Sequence, residues 1–188
     1  MILKEEDVKR YFLINNDIME DKLTDVLQEI HKTNLFDDQE ESKIKDYVRK
    51  PIKLVIESYG GDCYSGMSLV NTILTSKTPV HTYCYGKAMS MGLTIYSAGH
   101  KRYAHKNTTF MQHQLSGWSY GKLKDLENEM EEKIRLQDML DSVLVDNTII
   151  KMSKLLDLRE KKKDWFFTGS EAVDLGLVDE LLDTYNRK

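Results

Sequence analysis

A serine lies among small residues at a point where a strand gives way to a helix. The segment YCYGKAMSMGLTIYSAG covers residues 83–99 and holds Ser90 between Gly86 and Gly92. Small neighbours permit a tight turn and the close approach of a substrate. A helix beginning at Ser90 or Met91 would also aim free backbone N–H groups at anything bound there. These features favour a nucleophile, although capping of the helix is the commoner role for a serine so placed.

A serine nucleophile needs a base, and one of the five histidines is well placed to supply it. His113 ends the apolar strand FMQHQ, directly before the loop LSGWSYG, where a general base can meet a substrate. A core histidine bonded to the backbone is the alternative. The other histidines fit less well because they lie on a predicted surface helix, early in a strand, or on either side of the strand KRYA: His31, His81, His100 and His105.

An acid is needed to orient the base, and Asp164 is the candidate. It stands between the basic run KKK and the apolar run WFF, at a boundary between solvent and core. A solvated charge paired with a neighbouring lysine is the alternative. A metal site of His100, His105 and His113 is a weaker alternative, because their spacing matches no familiar ligand pattern. We expect no metal and no cofactor.

Strands and helices alternate along the chain, which predicts an α/β fold of right-handed βαβ units. The predicted strands are YFLI, IKLVIES, PVHTYCYG, KRYAHK, TTFMQHQ and LVDELL. Helices are predicted over residues 20–32, 65–76 and 91–99, and residues 36–50 are predicted to be a solvated connection. A long charged helical stretch follows from residue 122 to about 158, with a break near residues 146–148. Residues 1–188 form a single predicted domain.

Composition excludes several functional classes. The chain has 188 residues, 40% hydrophobic and 31% charged, and a net charge of -4, which disfavours binding to nucleic acid. No apolar run approaches the ~20 residues that span a bilayer. The N-terminal sequence lacks the order of a signal peptide. The two cysteines, Cys63 and Cys84, are expected to be reduced thiols in a cytoplasmic protein.

These motifs together resemble the proteolytic subunit of Clp-type proteases (ClpP). The matching segments are ESYGGDCYSG, CYGKAMSMG, FMQHQ, GKLKDLENEMEEKIRLQDM and DWFFTGSEAVDLGLVD, in family order over residues 11–183. The resemblance implies a ClpP/crotonase-like fold with a protruding handle helix at about residues 122–158. The chain resembles a divergent member of this family, of the kind that phages encode. Tyr59 and Leu115 stand where the family usually has proline.

The resemblance also implies the site residues. Ser90 resembles the family nucleophile, His113 the base and Asp164 the orienting acid. Gly61 and Met91 match the two backbone donors of the oxyanion hole. No cofactor or metal is implied.

The implied activity is that of a serine endopeptidase subunit in a self-compartmentalising protease. The family forms two stacked heptameric rings that admit peptides or unfolded proteins, with a Clp-type ATPase as partner. Nucleic acid and membranes are not expected partners. Only residues 1–10 precede the first predicted strand, from which we expect weak control by an ATPase docked at the axial pore.

Two other functions compete with this one. A crotonase-like CoA enzyme also uses paired backbone N–H donors, but it usually needs carboxylates near them, and Asp62 is the nearest acid here. A catalytically inactive ring subunit is the second alternative. The candidate set of Ser90, His113 and Asp164 argues against both.

Overall fold

A computed structural model describes residues 3–182 of the chain. Its strands are β1 Tyr11–Ile14, β2 Ile52–Ile56, β3 Val80–Cys84, β4 Lys87–Met89, β5 Lys101–His105, β6 Thr109–Gln112, β7 Trp165–Thr168 and β8 Glu180–Leu182. Its α-helices are α1 Glu20–Glu41, α2 Cys63–Thr75, α3 Met91–Ser97, α4 Leu123–Asn147, α5 Met152–Glu160 and α6 Gly169–Asp174, and a short 3-10 helix covers Glu5–Asp7.

Two sheets organise the fold. The larger sheet has five parallel strands in the order β1-β2-β3-β5-β8, and the smaller has the order β4-β6-β7. In the smaller sheet β4 and β6 are parallel, whereas β6 and β7 are antiparallel. Helices connect successive parallel strands of the larger sheet, as parallel pairing requires. The predicted α/β class with a parallel sheet is therefore confirmed.

Apolar strands and helix faces form one buried cluster beneath the sheets. Ile52, Leu54 and Ile56 of β2 are fully buried, and α2 contributes Leu69 and Ile73. The β-branched and aliphatic composition of β2 explains why it forms a central strand between β1 and β3. Within residues 3–182, no helix combines the length and the apolar composition needed to cross a bilayer.

The solvated connection predicted for residues 36–50 is partly wrong, because α1 continues to Glu41. Phe36 is buried, and Asp37 is fully buried on the same helix. Asp37 accepts hydrogen bonds from Arg10 Nη1 at 3.1 Å, Thr78 Oγ1 at 2.6 Å and Tyr47 Oη at 2.8 Å. Burial acts to raise the pKa of Asp37, but these donors outweigh it and hold the pKa below its usual value. The tertiary partners therefore stabilise this part of the helix.

The long helical stretch predicted over residues 122–158 is two helices. α4 ends at Asn147 and α5 begins at Met152, which confirms the break predicted near residues 146–148. Two short strands, β4 and β7, were not predicted from the sequence. Both belong to the smaller sheet, where they pair on either side of β6.

Candidate active site

Ser90 occupies a strained turn between β4 and α3. Its backbone has φ 52° and ψ −126°, a left-handed conformation that is rare for residues other than glycine. Its N–H donates to Met111 O at 2.9 Å, and its carbonyl accepts from Leu93 N at 2.9 Å. The Ser90 side chain makes no capping hydrogen bond to α3. The hydroxyl is therefore not used as a helix cap.

His113 meets this hydroxyl directly. It follows β6, whose parallel pairing with β4 aligns Met89 with Met111 and so brings Ser90 and His113 to the same end of the sheet. His113 Nε2 lies 2.8 Å from Ser90 Oγ, and both side chains are half-buried. If Oγ donates to Nε2, the ring proton resides on Nδ1, which needs an acceptor of its own. This is the geometry of a hydroxyl beside a general base.

The paired glycines lie in a loop held against Ile18. Ile18 N donates to Gly60 O at 2.8 Å, and Asp62 N donates to Ile18 O at 2.8 Å. Gly60 has φ +114° and Gly61 has φ +145°, values that other residues rarely adopt. A Cβ added at Gly61 would lie 2.7 Å from Ile18 N, so the close approach also requires glycine.

The same loop packs against the start of α3. A Cβ placed on Gly60 would lie 2.7 Å from Ser90 Cβ and 3.2 Å from Met91 N. Within residues 3–182, neither Gly61 N–H nor Met91 N–H donates to a protein acceptor. Both N–H groups are therefore free to bind a ligand oxygen, and the oxyanion hole predicted from them stays a prediction.

Asp164 directly precedes β7 and makes no hydrogen bond to Ser90 or His113. β6 and β7 are antiparallel with Gln112 opposite Trp165, so the same register places Asp164 opposite His113 one step beyond the ladder. Asp164 is exposed, and the structure gives no hydrogen bond between it and His113. The structure brings Ser90 and His113 into contact, and the orienting role of Asp164 stays a prediction.

A cleft of about 350 Å³ opens beside Ser90 Oγ. Its lining is part apolar and part polar: Tyr59, Gly61, Cys63, Ser90, Thr94, Met111, Gln112, His113, Leu115, Ser116, Gln137 and Leu140. A larger cleft of about 480 Å³ lies between α1 and α2, but no histidine lines it. The chemistry of the lining, rather than volume, therefore selects the cleft at Ser90 as the candidate site.

The other histidines take no part in this site. His100 Nδ1 accepts a hydrogen bond from Val80 N at 3.1 Å, far along the sheet from Ser90. Among the residues that the structure describes, no group of three or more histidine, cysteine or acidic side chains could hold a metal ion. The cysteines Cys63 and Cys84 are free thiols.

Sequence reasoning missed Glu57, which fixes the turn leading into β4. Its carboxylate accepts from the backbone N–H of Tyr85 at 2.7 Å, Gly86 at 2.9 Å and Lys87 at 3.1 Å. These bonds fix the start of β4, the strand that ends directly before Ser90. The acidic residue at the end of the apolar run IKLVIE was the available signal.

A strained serine between a strand and a helix, with a histidine at its hydroxyl and free backbone donors beside it, is the arrangement found in serine hydrolases. The family model described as Clp protease matches residues 10–185. The chain therefore belongs to the Clp protease family, which confirms the resemblance found in its sequence.

Individual relatives agree with this assignment. An ATP-dependent Clp protease proteolytic subunit from Deinococcus radiodurans is 37% identical over 134 residues, which cover 70% of this chain and 65% of that protein. A protein of the same name from Dehalococcoides mccartyi is 35% identical over 141 residues, covering 74% of this chain and 70% of the relative. The matches thus span about two thirds of the relatives' length. They support a protease subunit of the Clp type and favour neither alternative function.

Proposed function

We propose that this protein is a serine endopeptidase subunit of a self-compartmentalising protease, with Ser90 as its nucleophile. The observation that carries the proposal is the 2.8 Å contact between Ser90 Oγ and His113 Nε2 at a strained strand-to-helix turn. A peptide or an unfolded segment is the substrate, because an extended chain can bring a carbonyl carbon up to Ser90 in the open cleft.

In the proposed reaction Ser90 Oγ attacks the scissile carbonyl while His113 Nε2 takes the hydroxyl proton. The N–H groups of Gly61 and Met91 receive the developing oxyanion. His113 then gives its proton to the leaving amine, and a water hydrolyses the acyl-enzyme by the same steps in reverse. Asp164 accepts from His113 Nδ1 once the two side chains meet, which fixes the tautomer that the reaction needs.

Hydrolysis of a fluorogenic peptide tests the nucleophile. Ser90→Ala should lower kcat by at least about 10³-fold, because triad residues act as a unit. Ser68→Ala is the matched control, since Ser68 lies exposed on α2 and should leave the rate unchanged. Full activity in purified Ser90→Ala protein would refute the assignment.

We also propose that the chain assembles into two stacked heptameric rings through α4. The first half of α4 leaves Leu123, Met130 and Ile134 exposed at 76%, 57% and 54%. The preceding connection exposes Trp118 and Tyr120, each at 92%. So many large apolar side chains exposed along one segment are unusual for a monomer and favour a covered face.

Sedimentation velocity tests this assembly. Met130→Glu together with Ile134→Glu should convert the large particle into smaller species, because the new charges would be buried between rings. Asn128→Glu adds a charge on the polar side of the same helix and should leave the particle intact. A stable monomer of the wild-type chain that cleaves peptides would contradict the proposal.

The remaining proposals concern the partner of this protein and its location in the cell. The relatives' names describe them as ATP-dependent, and against the weak control expected from the sequence we propose that this chain also works with a Clp-type ATPase in the cytoplasm. The free thiols Cys63 and Cys84 suit that compartment. ATP-dependent degradation of a folded reporter in the presence of a Clp ATPase is the test, and degradation that is independent of ATP would argue against such a partner.

A further inference from the structure

A buried carboxylate lies behind His113, outside the residues assigned to the reaction. Asp141 of α4 is fully buried. Its Oδ1 accepts from Gln112 Nε2 at 3.0 Å and from Gln137 Nε2 at 3.0 Å. Burial raises the pKa of the Asp141 carboxyl, while the nearby Arg159 guanidinium acts to lower it. Burying a carboxylate costs free energy unless it is paired and hydrogen-bonded, so a buried acid with several partners is expected to have a structural or functional role.

Both glutamines hold the segment of chain that carries His113. Gln112 directly precedes His113, so its side-chain bond to Asp141 anchors the backbone on one side. Gln137 Oε1 accepts the N–H of Leu115, which anchors the backbone two residues beyond His113. Asp141 Oδ1 therefore fixes the His113 segment at two points, directly at Gln112 and through Gln137 at Leu115.

The second oxygen of Asp141 is fixed from another helix. Arg159 Nε, near the end of α5, donates to Asp141 Oδ2 at 2.8 Å. Arg159 also pairs with Asp138 through Nη1 at 2.6 Å, but Asp138 is 61% exposed at its side chain and no hydrogen bond joins it to either glutamine. Asp141 thus links α4, α5 and the end of β6, whereas Asp138 links only the two helices.

The space between these side chains is nearly filled. The cavity bounded by Gln112, His113, Gln137, Asp141 and Arg159, together with neighbouring leucines, has a volume of only about 10 Å³. Close-packed groups transmit a displacement rather than absorb it. Loss of the Asp141 acceptor would therefore be expected to move the His113 segment.

We propose that Asp141 is a positioning residue for the Ser90–His113 pair, acting through the side-chain amides of Gln112 and Gln137. The inference rests on the proposed function, because it presupposes a reactive Ser90. A displacement of about 1 Å at a reacting group can lower a rate by about 100-fold. The 2.8 Å contact between Oγ and Nε2 has little room for such a shift before proton transfer fails.

The time course of labelling by a fluorophosphonate probe tests the proposal, because it separates folding from positioning. The final extent of labelling counts folded, competent chains, whereas the rate constant reports how well His113 activates Ser90. Asp141→Leu should lower the rate constant by about 10- to 100-fold with a near-complete final extent. Asp141→Asn should recover most of the rate, since its amide oxygen can still accept from both glutamines.

Asp138→Asn is the matched control, because it removes the other acid paired with Arg159 and touches neither glutamine. It should label at the wild-type rate. If Asp141→Leu does not fold, Gln137→Met takes its place: it keeps the volume, removes the acceptor for Leu115 N–H, and should slow labelling about 10-fold.

A lower final extent with an unchanged rate constant would show a purely structural role and overturn the proposal. So would equal slowing by Asp138→Asn and Asp141→Leu, or Asp141→Asn as slow as Asp141→Leu. If the wild-type protein is labelled, and Asp141→Leu and Gln137→Met are labelled at the same rate, only the positioning role is refuted. Wild-type protein that is never labelled refutes the proposed function and the positioning role with it.

Discussion

The strained backbone of Ser90 leads to a prediction in which two substitutions that both remove the hydroxyl differ in stability. Ser90→Ala and Ser90→Gly each delete Oγ and should each abolish peptide hydrolysis. Alanine must still adopt φ 52° and ψ −126°, whereas glycine adopts such angles freely. The glycine variant should therefore be the more stable of the two.

The magnitude follows from two opposing contributions. A residue held in a sparsely populated backbone region costs about 1–3 kcal/mol, which glycine relieves. Glycine also gives the unfolded chain more freedom, which lowers stability by about 0.4–1 kcal/mol. The net gain is about 1 kcal/mol, and for a chain of this length it corresponds to a Tm about 2–4 °C higher for Ser90→Gly than for Ser90→Ala.

Thermal unfolding at one protein concentration measures this difference. Ser68 provides the matched control, because it is exposed in the middle of α2 with ordinary helical angles. There the order should reverse, with glycine about 1 kcal/mol less stable than alanine. If the glycine variant is less stable than the alanine variant at position 90 as well as at position 68, the backbone of Ser90 is not strained and the argument fails.

Two further predictions concern the glycine loop and the buried acid of α1. Gly60→Ala should slow peptide hydrolysis about 100-fold, because the new Cβ would lie 2.7 Å from Ser90 Cβ; Gly117→Ala, which meets only a flexible lysine at 3.4 Å, should not. Asp37→Asn should lower the free energy of unfolding at pH 7 by about 3 kcal/mol, because it breaks a buried pair with Arg10. Asp38→Asn, whose side chain is 42% exposed, should cost less than about 1 kcal/mol. Denaturant titrations over pH measure both: with its lowered pKa, the Asp37 contribution is present above about pH 4 and disappears as pH falls through the folded-state pKa. An acid limb unchanged in Asp37→Asn would contradict that assignment.

Local patterns in the sequence predicted much of the fold. The apolar runs of β1 and β2 are readable from neighbouring residues alone. The second half of α1 was not, because its charged residues look solvated until Arg10, 27 positions away, is seen to pair with Asp37. Strands β4 and β7 are three and four residues long, and their pairing with β6 is non-local.

The residues of the site also fall into two groups, those that local motifs predict and those that only tertiary packing brings together. The turn at Ser90 and the strand end at His113 carry recognisable motifs, and the structure places their side chains in contact. The cluster behind His113 has no such motif. Gln137 and Asp141 lie four residues apart in a charged helix, a spacing typical of a solvated face, and only the docking of α5 and Arg159 buries them.

Mass spectrometry of the fluorophosphonate adduct tests the central claim most directly. Trypsin should release residues 88–101 as one peptide, AMSMGLTIYSAGHK, which contains both Ser90 and Ser97. We predict that fragment ions place the adduct on Ser90, that Ser90→Ala protein carries none, and that His113→Ala protein acquires it far more slowly. An adduct on Ser97 or on another peptide, or equal labelling of Ser90→Ala protein, would contradict the assignment of Ser90 as the nucleophile.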